Sequence, residues 1–316
     1  MREDISYTTE EIAQILKVSK LTVYDLIKKE ELPSYRVGRQ IRVDAHDLSA
    51  YKERAKSGRN IKRVDTHRPE NPSFESKSST TTRQIIISGQ DLSLDILANY
   101  IEKNSNGYRP LRSYTGSLNS LVSMYQEEAD VVSTHLFDGD TGEYNVPYIR
   151  KILVGQPYLI VNFLSRWEGF YVRKGNPKNI QSWTDLTKPG ITMINREKGS
   201  GVRVLIDEKF RVEGISPYRV NGYESEELNH IGVASKVAGG DADVGIGIEK
   251  AARLVDVDFI PLIEERYDLV ILKTEQNEGL IDLLTRILQS DSFQKEIKSI
   301  GGYDLSQTGN VIYETF

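Results

Sequence analysis

Residues 8–51 read TTEEIAQILKVSKLTVYDLIKKEELPSYRVGRQIRVDAHDLSAY, and the punctuation of this stretch decides the fold of the first part of the chain. Thr8 and Glu11 have the three-residue spacing of a capping box, so a helix starts there, with Ile12, Ile15 and Leu16 as its buried stripe. Val18-Ser19 makes a turn, and Ser19 caps a second helix that runs to about Lys29 with Val23, Leu26 and Ile27 inward. Two short helices joined by a tight turn make a helix-turn-helix candidate. Ser34 to Val37 and Gln40 to Val43 are short alternating runs about Gly38-Arg39, a hairpin pattern. Asp44 then caps a third helix carrying Leu48 and Tyr51.

With that inward face, Lys20, Thr22, Tyr24 and Lys28 point outward from the second helix, and Arg36, Arg39 and Arg42 lie on the hairpin. The stretch resembles the excisionase/MerR-type winged helix-turn-helix over nearly all of residues 7–55. The matching pieces are the Glu11, Ala13 and Leu16 spacing, the VSKLTVYDLIKKEELP block and the GRQIRV wing. The resemblance implies that the second helix enters the DNA major groove with its N-terminal residues at base edges. Thr22 then faces bases or the sugar-phosphate and Tyr24 a phosphate, while the hairpin arginines suit backbone or minor-groove contact. The competing reading is a solvated basic surface on a protein-binding module.

Charge is unevenly spread. The chain of 316 residues has 41 Lys+Arg and 46 Asp+Glu, a net charge of −5. Residues 1–63 hold 14 basic and 10 acidic residues, so a head of +4 precedes a body of −9. Such a head suits a polyanion that the body does not meet, although a segment this short can also show that balance by chance. The absence of cysteine excludes disulfides, thiolate metal sites and a Cys nucleophile, and it fits a reducing compartment. There is no run of about 18 apolar residues, so no membrane span is expected, and no apolar signal core opens the chain. A cytoplasmic location is the expectation. Residues 57–83, SGRNIKRVDTHRPENPSFESKSSTTTR, are polar with two prolines and read as a flexible linker. The expected domains are therefore 1–56, the linker 57–83, and 84–316.

The body alternates strand and helix patterns. Ile85-Ile86-Ile87 is a strand, Leu92, Ile96, Leu97 and Tyr100 make a helix face, and Leu118, Leu121, Val122 and Tyr125 make another. Ala129-Asp130-Val131-Val132 is a strand again. This alternation implies parallel sheets covered by helices, an α/β fold class. Several strands run into small polar residues at a helix start: Ser88-Gly89, Thr115-Gly116-Ser117, Ser133-Thr134-His135 and Gly199-Ser200-Gly201. Each alone is a cap or a turn. Four together point to a ligand site, because open α/β sheets bind at the carboxyl ends of strands and free N–H groups at helix starts attract anions.

Five stretches carry a second resemblance: 162–177 (NFLSRWEGFYVRKGNP), 195–208 (NREKGSGVRVLIDE), 229–247 (NHIGVASKVAGGDADVGIG), 258–271 (DFIPLIEERYDLVI) and 301–309 (GGYDLSQTG). They are similar to the periplasmic-binding-protein-like (type II) sensor domain of bacterial transcription regulators, a group related to molybdate- and tungstate-binding transport proteins. The resemblance implies two lobes joined by crossover strands near residues 161–165 and 256–261, with lobe one 84–162 plus 258–316 and lobe two 163–257. Carried over by position, Ser88, Gly89, Gly116 and Ser117 supply one half of the site, and Ser200, Gly201, Val202 and Arg203 the other. Thr115, Thr134, His135 and His230 stand behind them. Arg196 and Arg203 bring the positive charge to the 195–208 loop, though Arg203 reads equally as an exposed first-turn residue and His230 as a structural one.

Other chemistries lack their motifs. Residues 240–247 miss the third glycine of a dinucleotide fingerprint. Asp138 to Glu143 puts Gly142 and Glu143 where a calcium loop needs Asp/Asn and Gly, so it reads as a turn. Four scattered histidines give no zinc spacing, and no carboxylate pair stands out as a metal cage. The expectation is thus a non-catalytic regulator without cofactor or free metal ion. Its partners are a double-stranded DNA operator and a small oxyanion effector, tungstate or molybdate, and it acts as a homodimer or higher homo-oligomer. The rivals are a sensor of a small organic anion and an enzyme on the same bilobal fold, for which His135 or His230 would have to serve as acid or base.

Overall fold

The computed structural model describes residues 6–16, 18, 20–28, 32–37, 40–57 and 82–315. The chain divides into two compact units, Met1–Ser76 and Lys77–Phe316. Most of the expected linker, residues 58–81, lies outside the described residues, as do Ser19, Lys29, Gly38 and Arg39.

The first unit is β1 (Ser6–Thr8), α1 (Thr9–Leu16), α2 (Lys20–Lys28), β2 (Tyr35–Val37), β3 (Gln40–Asp44) and α3 (Ala45–Ser57). The capping box forms as its residue types dictate. Glu11 Oε2 accepts from the Thr8 N–H at 2.8 Å, and Thr8 Oγ1 accepts from the Glu11 N–H at 3.4 Å. The hairpin pairs β2 with β3 antiparallel, Tyr35 opposite Arg42. Strand β1, which the sequence did not announce, adds to the other edge of β3 in a β1-β3-β2 sheet. Ile12, Val23, Leu32, Val43 and Leu48 form the core, with Leu16, Leu26, Ile27 and Tyr51 packed on it. Ile15, expected in the stripe, is exposed instead. On a helix of eight residues the inward arc is taken by Thr9, Ile12, Ala13 and Leu16.

The second unit runs β4 (Arg83–Ser88), α4 (Ser93–Asn104), β5 (Tyr108–Ser113), α5 (Ser117–Tyr125), β6 (Val131–Thr134), α6 (Val146–Ile152) and β7 (Tyr158–Val172). It continues with β8 (Met193–Arg196), α7 (Gly201–Glu213), β9 (Glu226–Glu227), α8 (His230–Gly239), β10 (Val244–Ile248), α9 (Glu249–Val255) and β11 (Asp258–Leu272). The chain ends with α10 (Glu278–Gln289), α11 (Asp291–Ile300) and β12 (Val311–Glu314). The strands form one curled sheet in the order β5-β4-β6-β11-β7-β10-β8-β9, with β12 also on β7.

Two 15-residue strands make this a two-lobed body. β7 and β11 run antiparallel along nearly their whole length, and each passes from one lobe into the other. At one end they meet β6, which pairs with residues 268–271, and at the other they meet β10, which pairs with residues 168–172. The crossing lies later than residues 161–165 and 256–261. It falls where Arg166 is paired in register with Glu265, between irregularities at 261–263 and 267–268. Residues 258–264 therefore run beside the lobe-two half of β7 and not within lobe one. Outside the crossover strands the pairing is parallel, β4 with β5 and β6, and β8 with β10 and β9.

Each lobe buries both faces of its sheet. In lobe one Leu97, Ile101, Leu284 and Phe293 cover one face, and Leu121, Met124 and Ile149 the other. In lobe two the helix residues Val202, Ile206 and Phe210 cover one face, and Val233, Val237 and Ala251 the other. Helix α5 buries Ser117, Ser120, Leu121 and Met124, while Val122 and Tyr125, expected inward, are exposed. Asp138 to Glu143 forms a tight turn, closed by the Asp138 N–H on the Glu143 carbonyl at 2.9 Å and the Gly142 N–H on the Asp138 carbonyl at 2.8 Å. Among the described residues no helix is long and apolar enough to cross a membrane.

Ile12 has no exposed surface at the centre of the small first-unit core. Ile12→Ala is expected to cost that unit about 2–5 kcal/mol. Chemical denaturation followed by fluorescence and circular dichroism should show an early transition for the first unit and an unmoved one for the second.

Candidate functional site

A cavity of about 310 Å³ opens in the second unit between the lobes. Lobe one contributes Gly89, Asp91, Leu92, Thr115, Gly116, Ser117, Ser133 and His135. Lobe two contributes Asn229, His230, Ile231, Ile248, Lys250, Ala251 and Leu254. Arg166 and Tyr267, from the crossover strands, form its back, with Tyr303 beside them. Four of the segments that bring these residues together lead into helix starts, those of α4, α5, α8 and α9. Their N-terminal N–H groups give the cavity a positive electrostatic bias.

Behind the cavity wall lies a buried ion network. Arg166 donates from Nε to Glu265 and from Nη1 to Asp91, and all three residues are nearly inaccessible to water. Asp91 also accepts from Ser93 and, at 2.9 Å, from the Tyr303 hydroxyl. His135 Nδ1 is 2.6 Å from Glu265 Oε2. The Arg166 guanidinium lies 4.5 Å from the Tyr267 ring centre, and the Tyr267 hydroxyl is 2.6 Å from Ser133 Oγ. Burial by itself would raise the Asp91 carboxyl, but Arg166 and the Ser93 and Tyr303 hydrogen bonds outweigh it and hold Asp91 below its ordinary value. Burial would raise Glu265 too, and Arg166 and His135 drive it well below the ordinary carboxylate range. Glu168 goes the other way: burial and the Glu265 charge push it well above. Loss of water around His230, with Arg196 and Arg166 nearby, holds its imidazole well below the ordinary value.

The lobes already touch across the cleft. The Leu118 N–H, at the start of α5, donates to the Gly199 carbonyl of lobe two at 3.0 Å. Gln90 of lobe one accepts from Arg196 at 2.7 Å and donates to Glu197 at 3.0 Å. Two glycines make this approach possible. A Cβ on Gly116 would stand 2.7 Å from the Gly199 carbonyl oxygen, and one on Gly201 would stand 2.4 Å from the His135 ring.

The residues singled out from sequence separate into two groups. Gly89, Thr115, Gly116, Ser117, His135 and His230 line the cavity. Ser88 does not; its hydroxyl is 2.5 Å from Thr115 Oγ1 and 2.9 Å from Ser120 Oγ. Thr134 faces away and donates to Asn145 at 3.1 Å, because adjacent strand residues point to opposite faces and Ser133 takes the cavity side. Ser200 caps α7, accepting from the Arg203 N–H and donating to the Glu197 carbonyl. Gly201 lies against His135, and Val202 is packed in the lobe-two core. Arg203 is pinned within lobe two to Glu226 at 2.7 Å and Asp207 at 3.1 Å, over the Tyr223 ring. Arg196 is likewise engaged, by Glu197, Gln90 and the Leu228 carbonyl.

Sequence reasoning missed Asp91, Arg166, Asn229, Lys250, Tyr267 and Tyr303. A signal existed for Arg166. Along β7, residues 164, 166, 168 and 170 are all buried, so Arg166 and Glu168 occupy inward positions of the period-two pattern. Charged residues there call for buried partners.

In the first unit, Lys20, Thr22 and Tyr24 are exposed on α2. The Lys20 ammonium pairs with Glu10, and Arg42 donates from Nη1 to Ser6 Oγ at 3.1 Å. Lys28 and Arg36 lie in α2 and β2, and Arg39 is outside the described residues.

A body of two α/β lobes on crossover strands, with a cleft at their junction, is the architecture of a ligand-binding protein. The chain belongs to the PBP superfamily, whose domain model matches residues 98–289, and a helix-turn-helix domain model matches residues 6–56. Protein YvgK of Bacillus subtilis (strain 168), described as uncharacterized, is 49% identical over 316 residues, 100% of both chains. The molybdate-binding protein ModA of Mycobacterium tuberculosis is 32% identical over 111 residues, 34% of this chain and 38% of that protein. A solved structure from Clostridium perfringens, described as a phosphate transporter substrate-binding protein with bound phosphate, aligns with a TM-score of 0.52 and 13% identity. It covers 70% of this chain and 99% of that one, and at this identity the likeness shows the fold.

Because Asp91 has a lowered folded-state value, its ionised form contributes stability above the unfolded carboxylate value, near 3.9, and that contribution is lost as pH falls through the lower folded value. Asp91→Asn should therefore cost about 3–5 kcal/mol at pH 7, by leaving Arg166 half-paired, and less as the pH approaches 2. Urea midpoints of both proteins from pH 7 to pH 2 check this. A gap that does not narrow would place the Asp91 contribution elsewhere.

Proposed function

We propose that the chain is a cytoplasmic, DNA-binding transcription regulator whose cleft senses a small anion, with a tetrahedral oxyanion such as molybdate or tungstate as the first candidate. The carrying observation is Lys250. Its Nζ is buried against the cavity, near the Tyr303 ring, and has no hydrogen-bond partner among the described residues. Burial lowers its ammonium below the ordinary value, with Asp91 acting against that shift. An enclosed ammonium at the meeting point of several helix starts has no hydrogen-bonded anion among the described residues, and a ligand oxygen would supply one. The Ser117 hydroxyl and the Thr115-Gly116-Ser117 turn supply the neutral donors that oxyanions accept. The likeness to a molybdate-binding protein over 111 residues supports the same class.

A second reading, a small organic anion, rests on the cavity walls. Leu92, Ile231, Ile248, Ala251 and Leu254 are apolar, and about 310 Å³ is several times the roughly 30 Å³ share of one water. A carboxylate on Lys250 with its carbon skeleton against those walls would fill more of the space.

We read the cleft as a binding site without catalysis and the helix-turn-helix domain as the operator reader. Exposed Lys20, Thr22 and Tyr24 on α2 suit a DNA groove. One domain this small makes few contacts, so a homodimer or higher homo-oligomer on a two-half-site operator is part of the proposal.

A thermal-shift and calorimetric screen tests it with molybdate, tungstate, phosphate, sulfate and small carboxylates. A true effector at 100 times its Kd stabilises the protein by about 2.7 kcal/mol. Lys250→Met should leave the Tm of the unliganded protein unchanged or raised, because an enclosed donor without a hydrogen-bond partner among the described residues is removed. The same change should weaken anion binding at least about tenfold, the loss of one charge-assisted hydrogen bond. If no anion shifts the wild-type protein, or if Lys250→Met binds as well, the proposal fails. A response to carboxylates alone selects the second reading.

A further inference from the structure

Three side chains with metal-binding atoms face one another where the lobes join: His135 after β6, Glu168 on β7 and Glu265 on β11. All are buried, and their nearest ligand atoms lie within 4.8 Å of one another. His135 Nδ1 is 2.6 Å from Glu265 Oε2 and 4.0 Å from Glu168 Oε1. Glu168 is the unexplained member. It has no exposed surface, and among the described residues neither of its oxygens meets a hydrogen-bond donor, with the Glu265 carboxyl beside it. A carboxyl group shut away from water without a donor for its oxygens is a buried polar group that calls for a partner.

The other charges at the crossover are already committed. Arg166 is divided between Glu265 and Asp91, and Asp91 is completed by Ser93 and Tyr303. Arg166 thus answers Glu265 and Asp91 by hydrogen bonds and leaves Glu168 unengaged. We propose that His135, Glu168 and Glu265 form a binding site for one divalent transition-metal cation of the zinc or manganese class.

The spacing suits such an ion. Ligand atoms about 2.0–2.1 Å from zinc at the tetrahedral angle stand about 3.3 Å apart, and the observed separations of 2.6 and 4.0 Å bracket that value. One imidazole and two carboxylates are a nitrogen–oxygen set, suited to Zn²⁺, Mn²⁺ or Fe²⁺ and unsuited to Cu⁺, and the chain has no cysteine to offer a softer site. Arg166 holds the far oxygen of Glu265 and so orients the carboxylate, a support that metal ligands commonly have. Three protein ligands leave a fourth position for water or another small donor. The sequence alone marked no such cage, because its members are separated by 33 and 97 residues along the chain. The site stands independently of which anion the cleft takes.

The test uses the full-length protein stripped with chelator and then exchanged into chelator-free buffer. Zn²⁺ and Mn²⁺ are titrated by calorimetry, and Co²⁺ by visible absorption. The expected result is one site per chain, with Co²⁺ ligand-field bands that Zn²⁺ abolishes. In Glu168→Gln, affinity for Zn²⁺ should fall at least about tenfold, since even losing a supporting residue costs that much. If wild-type protein takes up none of the three ions at about 100 µM, or if Glu168→Gln binds Zn²⁺ with wild-type affinity, the proposal is overturned. Glutamine is nearly isosteric with a neutral glutamic acid, so an unaltered or raised Tm in Glu168→Gln without metal uptake by the wild type would assign the pocket to a proton. Should Glu168→Gln fail to fold, the wild-type Co²⁺ spectrum decides: nitrogen–oxygen bands at one ion per chain support the site, and their absence refutes it. Anion binding in the Lys250 cavity is read separately, so failure here leaves that reading standing and the converse.

Discussion

The Arg166 guanidinium, held between Glu265 and Asp91 at the crossing of β7 and β11, is the constraint on which the second unit depends. Three charged groups are carried out of water at the joint of two lobes. Buried ion pairs seldom add net stability, because desolvation consumes much of the Coulombic gain, yet losing one partner strands the rest at a cost of several kcal/mol. The network therefore acts less as glue than as a fixed reference. It ties the turn before α4, through Asp91, to both crossover strands, and it sets where the cavity wall stands. His135, Tyr267 and Tyr303 take their positions from contacts with the same three groups.

Around this joint the lobes close by backbone contact. Glycines at 116 and 201 let the 199–201 turn of lobe two press against the α5 start and the His135 ring. The cavity that remains is bordered by helix starts and holds the Lys250 ammonium, which has no hydrogen-bond acceptor among the described residues. An anion is the simplest complement to that combination. A helix-turn-helix domain at the other end of the chain gives such binding something to report to. The united reading is a sensor whose ligand and operator sites lie in separate compact units.

How much of this the sequence disclosed follows from the range of each interaction. The first unit is built from short-range signals, and the Thr8–Glu11 box, the inward Val23 and Leu48 and the hairpin at 35–44 could be read directly. In the body, the strand-to-helix turns at 88–89 and 115–117 announced a cleft, since helix starts mark themselves locally. The charges inside it did not. Arg166 meets Asp91 across 75 residues and Glu265 across 99, separations over which no local pattern operates. Arg203 drew attention because it follows a glycine-rich turn, yet Glu226 and Asp207 hold it in lobe two. Nothing local in the sequence marks Lys250, whose ammonium is enclosed only by the fold. Thr134 was chosen over Ser133, a one-residue error in strand parity that moves a side chain to the opposite face.

We propose that an anion on Lys250 changes how the helix-turn-helix domain holds DNA. The direct measurement is the affinity for a duplex selected by the protein from a random pool. It is read by fluorescence anisotropy at one fixed salt concentration, with and without the anion that stabilises the protein. The account predicts a change of at least about fivefold in the wild type, the lower end of ordinary allosteric coupling, and none in Lys250→Met. Equal affinity with and without the anion in the wild type, or the same change in both proteins, would contradict it.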